Sequence, residues 1–126
     1  MVGEISDLYV ADTYALLELL TGNKAYAPYL QVNLLITDFV LVELYYALLR
    51  KYGEESASKG FARCLPLRYS LTSQTLIHAA ALRYEYKKEN LSYADCAGWA
   101  LAQQLGVQFL TGDKAFANKP GVAFVR

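Results

Sequence analysis

The sequence predicts an α/β protein, a three-layer α/β/α sandwich with a central, mostly parallel sheet. Three observations carry this. Short apolar runs at residues 8–11, 34–36 and 107–110 alternate with longer segments that carry helix start and stop signals. Runs that are apolar at nearly every position are buried on both faces, as parallel strands are. A chain of 126 residues, 55% of them apolar, suffices for one domain, residues 1–126, with a real core.

The elements follow in order. Residues 8–11 form a strand that ends at Asp12. A helix over 14–20 is stopped by Thr21-Gly22, and 25–31 forms a second short helix interrupted by Pro28. After the strand 34–36, Thr37 or Asp38 caps a long helix that runs through Lys51 and closes at Gly53. Residues 54–64 are helical and 67–71 extended. Thr72 or Ser73 caps a helix reaching about Lys88, and Ser92 caps one that Gly106 ends. The strand 107–110 leads to Thr111-Gly112-Asp113, and 122–125 is the last strand.

Composition narrows the function classes. Twelve basic and twelve acidic side chains cancel, so contact with nucleic acid requires a local basic patch. Cys64 and Cys96 form no CxxC pair and read as idle thiols in a reducing compartment, neither a disulfide framework nor a zinc motif. Residues 1–7 lack the basic and apolar regions of a signal peptide, and no run approaches the ~20 apolar residues that span a bilayer. A cytoplasmic protein with no membrane contact is expected.

The acids are the informative residues. In parallel α/β sheets, sites form in the crevice beyond the carboxyl ends of the strands. Asp12 and Asp113 directly follow strands there; each reads equally as a helix cap or turn residue. Asp95, in Ser92-Tyr93-Ala94-Asp95, has the spacing of a capping box. Ala94, Ala97 and Gly98 let that helix approach other backbone closely. Glu43 stands among ten apolar residues in the eleven from 39 to 49, where a buried ionised carboxylate requires a cation, a hydrogen-bond set or a raised pKa; a rim position beside arginine or tyrosine is the alternative. Asp7 and Glu4 read as solvated, and His78 as packed or half-exposed in mid-helix. Grouped at one sheet edge, Asp12, Glu43, Asp95 and Asp113 cannot all ionise without a cation, and an oxygen-only donor set suits Mg²⁺ or Mn²⁺. Such an ion lowers the pKa of attacking water and stabilises charge on a phosphodiester.

Four segments carry a family resemblance: Val10-Ala11-Asp12-Thr13 with Leu16-Leu17; Ile36-Thr37 followed by Val42-Glu43-Leu44; Leu91-Ser92-Tyr93-Ala94-Asp95 leading to Ala102 and Leu105-Gly106; and Leu110-Thr111-Gly112-Asp113-Lys114-Ala115-Phe116. In this order, over nearly the whole chain, they resemble the PIN-domain nucleases, especially the VapC-type toxins of toxin–antitoxin pairs. The resemblance implies metal ligands at Asp12, Glu43, Asp95 and Asp113, with Thr111 and also Thr13 as polar helpers. It implies RNA cleavage with Mg²⁺ or Mn²⁺, a homodimer and a small VapB-type antitoxin. Two departures stand out. Tyr14 occupies a position where many relatives carry a small residue, and residues 112–117 supply Asp113 without the further acid some relatives have, so the resemblance supports a first metal and leaves one versus two open.

Lys114, Arg50-Lys51, Lys87-Lys88, Lys119 and Arg126 are the candidate phosphate contacts, Lys114 foremost; the tyrosines and Trp99 can stack bases or fill the core. Tyr45-Tyr46 and the apolar helix around Glu43 suggest a covered surface. Two other readings remain: a noncatalytic interaction protein on the same fold, and a nuclease of RNA processing without an antitoxin. A receiver-like phosphoacceptor fails for want of paired acids after the first strand. An Asp-x-Asp phosphatase fails because Tyr14 stands at the second position.

Overall fold

A computed structural model describes residues 7–126. The readings made on residues 1–6, including solvated Glu4, lie outside the described residues; Asp7 is exposed. Four parallel strands, β1 (Leu8–Ala11), β2 (Asn33–Leu35), β3 (Gln108–Thr111) and β4 (Val122–Phe124), stand in the order β2-β1-β3-β4. The helices are α1 (Thr13–Thr21), α2 (Asp38–Tyr52), α3 (Glu54–Cys64), α4 (Ser73–Glu85) and α5 (Tyr93–Leu105).

Side chains alternate along the two central strands and so divide the core. Tyr9, Ala11 and Leu110 face a cluster built with Leu16, Tyr26, Val40, Leu44 and Ala57, from α1, α2, α3 and the 3-10 helix Lys24–Gln31. Val10 and Phe109 face Leu82, Cys96, Trp99 and Leu101, from α4 and α5. The sheet is thus covered on both faces, as its uninterrupted apolar strands require. Gly98 brings α5 onto the sheet: a Cβ there would meet the Phe109 ring. The close approach expected of these small residues is therefore to a strand's side chain.

Several boundaries differ from the sequence expectations. β2 and β3 are displaced by one residue, β2 to Asn33–Leu35 and β3 to Gln108–Thr111. The extended stretch at 67–71 begins with a 3-10 turn, Leu65–Leu67, and makes a single parallel bridge, Ile36 to Arg68. The helix expected to reach Lys88 ends at Glu85; a 3-10 turn follows, and the Tyr86 ring turns inward against Trp99, 5.3 Å between centroids. Thr37, Thr72 and Ser92 are the helix caps, their side chains accepting from Val40, Thr75 and Asp95 backbone N–H groups. α2 is not covered on every side. Phe39, Val42, Tyr46 and Leu49 form an exposed apolar stripe along it, with Val42 70% accessible. No helix among the described residues is long and apolar enough to cross a membrane. Cys64 and Cys96 are free and buried.

Candidate active site

β1 and β3 lie side by side at the centre of the sheet, and their carboxyl ends carry Asp12 and Thr111. The Asp12 N–H donates to the Leu110 carbonyl at 3.1 Å, which continues the ladder one residue past β1. Asp12 then caps α1, its Oδ1 accepting from the Ala15 N–H at 2.8 Å. Its Oδ2 accepts from the Thr111 hydroxyl, across 99 residues of sequence. Thr111 is fully buried and its Oγ1 also accepts from the Asp113 N–H at 3.0 Å, so one hydroxyl ties the two acids together.

The other acids reach the same edge from separate elements. Asp113 caps a 3-10 turn through the Ala115 N–H at 3.0 Å. Asp95 completes a reciprocal capping box with Ser92 at the start of α5. Glu43, half-buried in α2, accepts from the Thr13 hydroxyl at 2.7 Å. The cap reading of Asp12, Asp95 and Asp113 is therefore correct at all three positions, and it leaves their charges in one neighbourhood.

That neighbourhood is electrostatically strained. Burial pushes the Asp12 carboxyl up to about 7; the bonds from Thr111 and Ala15 oppose the rise, and the charges of Asp95 and Asp113 add to it. Burial likewise raises Asp95, opposed by Ser92 and reinforced by Asp113 and Glu43. Among the described residues none of the four acids is in an ion pair: the bridges are Lys59–Glu55, Arg68–Asp38 and Lys119–Glu89. Also among them, no three His, Cys, Asp or Glu side chains are drawn together closely enough to cage a metal ion. Like charges keep apart without a cation. Mg²⁺ retains several waters and takes only one or two carboxylates directly, so the all-oxygen, cation-free donor set fits a hard divalent ion although the cage is open.

The candidate cations differ in freedom. Lys119 is taken by Glu89 and the Ala115 carbonyl. Arg50 lies over Tyr46, Lys51 over Tyr52, Lys87 over Tyr84 and Arg126 over Tyr14. Lys114, next to Asp113 in sequence, is exposed and lines a cleft of about 450 Å³ with Tyr86, Glu89, Asn118 and Lys119. Tyr14 is half-buried and crowds the Gly112 backbone, where a Cβ would strike both its ring and the Val125 carbonyl. Its role is packing beneath the loop that carries Asp113. His78 is exposed in the middle of α4, its Nε2 2.6 Å from the Gln103 amide oxygen. The sequence reading overlooked Arg83, which lies over the Tyr93 ring at 5.6 Å, two residues from Asp95. No local pattern signals that pair, because it depends on how α4 packs against α5.

Acids gathered at the carboxyl edge of a four-stranded parallel sheet, with oxygen donors alone, give an α/β protein a donor set that suits a hard divalent ion. A family model for the PIN domain matches residues 9–122, and the chain belongs to that family. Among solved structures, the chain is similar to VapC20 of Mycobacterium tuberculosis, described as a toxin cleaving the sarcin-ricin loop (19% identity, 94% of this chain and 99% of that one, TM-score 0.74). It is also similar to a chain of a toxin–antitoxin complex from Klebsiella pneumoniae (24% identity, 91% and 95%, TM-score 0.66). A third is VapBC2 of Rickettsia felis, bound to a fragment of promoter DNA (16% identity, 93% and 96%, TM-score 0.69). A search of curated protein sequences returned no match.

Proposed function

We propose that this chain is a divalent-metal-dependent endoribonuclease, the toxin of a VapBC-type toxin–antitoxin pair acting in the cytoplasm. The observation that carries the reading is the buried Asp12 carboxylate, fixed between Thr111 and Ala15 and facing other acids without a basic partner. Membership in the PIN family and the toxin descriptions of the structural neighbours support it.

Asp12, Asp95 and Asp113, with Glu43, are the residues that would hold Mg²⁺ or Mn²⁺. Held there, such an ion would supply Lewis acidity, lowering the pKa of attacking water and stabilising charge on the phosphodiester. Thr111 fixes the Asp12 rotamer and the Asp113 backbone together, and Thr13 does the same for Glu43. Lys114, free of an ion pair among the described residues, offers a charge to the RNA backbone. Only one acid lies in residues 112–117, which favours a single ion. The exposed stripe on α2 offers apolar area to a second copy of the chain or to a small antitoxin.

The test is cleavage of RNA by the wild type and by Asp12→Asn, with Mg²⁺, with Mn²⁺ and with EDTA. Cleavage is expected only with metal and only by the wild type. Cutting in EDTA, or equal activity in the variant, overturns the mechanism.

A further inference from the structure

One half-buried cation, on the helix packed against α5, has a buried donor with no protein acceptor. Arg83 occupies the last turn of α4, and its Nε is buried without a hydrogen-bond partner. Its guanidinium forms no ion pair among the described residues and lies over the ring of Tyr93. A guanidinium stays charged at any ordinary pH, so its buried Nε–H, left without an acceptor, calls for an explanation.

Position supplies one. His78 meets Gln103 and Thr75 meets Gln104 at one end of the α4–α5 pair, while Arg83 meets Tyr93 at the other. The helices therefore run antiparallel, and the end of α4 lies beside the start of α5, where Asp95 sits. Tyr93 is 68% exposed, so the ring retains open surface beyond the part the guanidinium covers.

We propose that Arg83 and Tyr93 form a seat for one unpaired RNA nucleotide at the start of α5, the helix that carries Asp95, the guanidinium taking a backbone phosphate and the Tyr93 ring stacking the base. The proposal rests on the ribonuclease reading and deepens it by specifying single-stranded RNA at the cut. The planar guanidinium fork matches phosphate oxygens two at a time. An exposed aromatic ring stacks any base, and this needs the base unpaired. A cation at this point also offsets the repulsion that the acids exert on an incoming phosphate.

The test is binding of a fluorescein-labelled single-stranded RNA decamer in the Asp12→Asn background, followed by anisotropy from 50 to 200 mM salt. Arg83→Gln is expected to weaken binding about tenfold and to flatten the slope of log K against log salt by about 0.7, the loss of one phosphate contact. Arg83→Lys restores the slope. Tyr93→Ala weakens binding about tenfold with the slope unchanged, and Tyr93→Phe retains it. Lys59→Gln, remote on α3, serves as the control and leaves binding unaltered. In otherwise wild-type protein, both losses appear in KM more than in kcat. If the parent binds and neither Arg83→Gln nor Tyr93→Ala differs from it, the seat is overturned and the ribonuclease reading stands. If the parent binds no RNA, the ribonuclease reading falls and takes the seat with it. Should Arg83→Gln unfold, the exposed Tyr93 variants decide alone.

Discussion

Replacing Asp12 by Asn removes a charge and keeps the shape. The amide oxygen can still accept from Ala15, and the amide nitrogen can donate to the Thr111 hydroxyl, which both donates and accepts. In the metal-free protein the wild-type carboxyl sits at about 7, against an ordinary 3.8, because burial and the Asp95 and Asp113 charges disfavour its ionised form. The sign follows from linkage. A carboxyl raised by folding is penalised in the folded state as it ionises. The penalty is absent below the unfolded value, grows as pH rises through the window from 3.8 to about 7, and is complete above it. At 1.36 kcal/mol per pH unit, it comes to about 2 kcal/mol at pH 5 and about 4 kcal/mol at pH 8. Asp12→Asn carries no such penalty. In EDTA the variant should therefore gain stability over the wild type by about 2 kcal/mol more at pH 8 than at pH 5, measured by urea unfolding. Adding Mg²⁺ should raise the midpoint of the wild type and leave the variant's unchanged. A stability difference independent of pH, or a variant equally stabilised by Mg²⁺, refutes the account of Asp12 as a buried, cation-seeking carboxylate.

Two further outcomes follow from the same crevice. Thr111→Val removes the hydroxyl that holds the Asp12 carboxyl down, so the pH window of the wild-type stability loss should move upward, and cleavage should fall at least tenfold; unfolding and rate profiles between pH 5 and 9 read both. Gly112→Ala sets a methyl group against the Tyr14 ring and the Val125 carbonyl, and should cost about 2 kcal/mol or more in urea unfolding; because the carbonyl belongs to the backbone, adding Tyr14→Leu should recover only part.

The sheet was legible because its strands are short unbroken apolar runs. The one-residue displacements of β2 and β3 reflect ladder bonding, which starts at polar Asn33 and Gln108 and carries no hydrophobic mark. The ending of α4 was not legible, since Tyr86 looks like a helix residue until Trp99 is beside it. For Asp12, Asp95 and Asp113 the sequence left two readings, cap or site residue. The caps all form, and the same side chains share one electrostatic neighbourhood. For Glu43 the sequence left a buried charge and a rim position open. Ten apolar neighbours suggested a buried charge, but α2 exposes Val42 and Tyr46, and Glu43 sits half-buried against Thr13. The heavier desolvation falls on Asp12, whose burial depends on β3 and could not be inferred from its own neighbours in sequence. Arg83 was invisible for the same reason: its surroundings belong to another helix.

The bond between Asp12 and Thr111 joins residues 99 positions apart, which has a consequence during translation. At about 5–20 residues per second, Asp12 emerges roughly 5 to 20 seconds ahead of the residue that orients it. Throughout that interval the nascent chain holds single acids on separate segments, with β1 lacking the neighbour that completes the edge. A chain of this topology cannot assemble its acid edge until β3 has cleared the ribosome and joined the sheet.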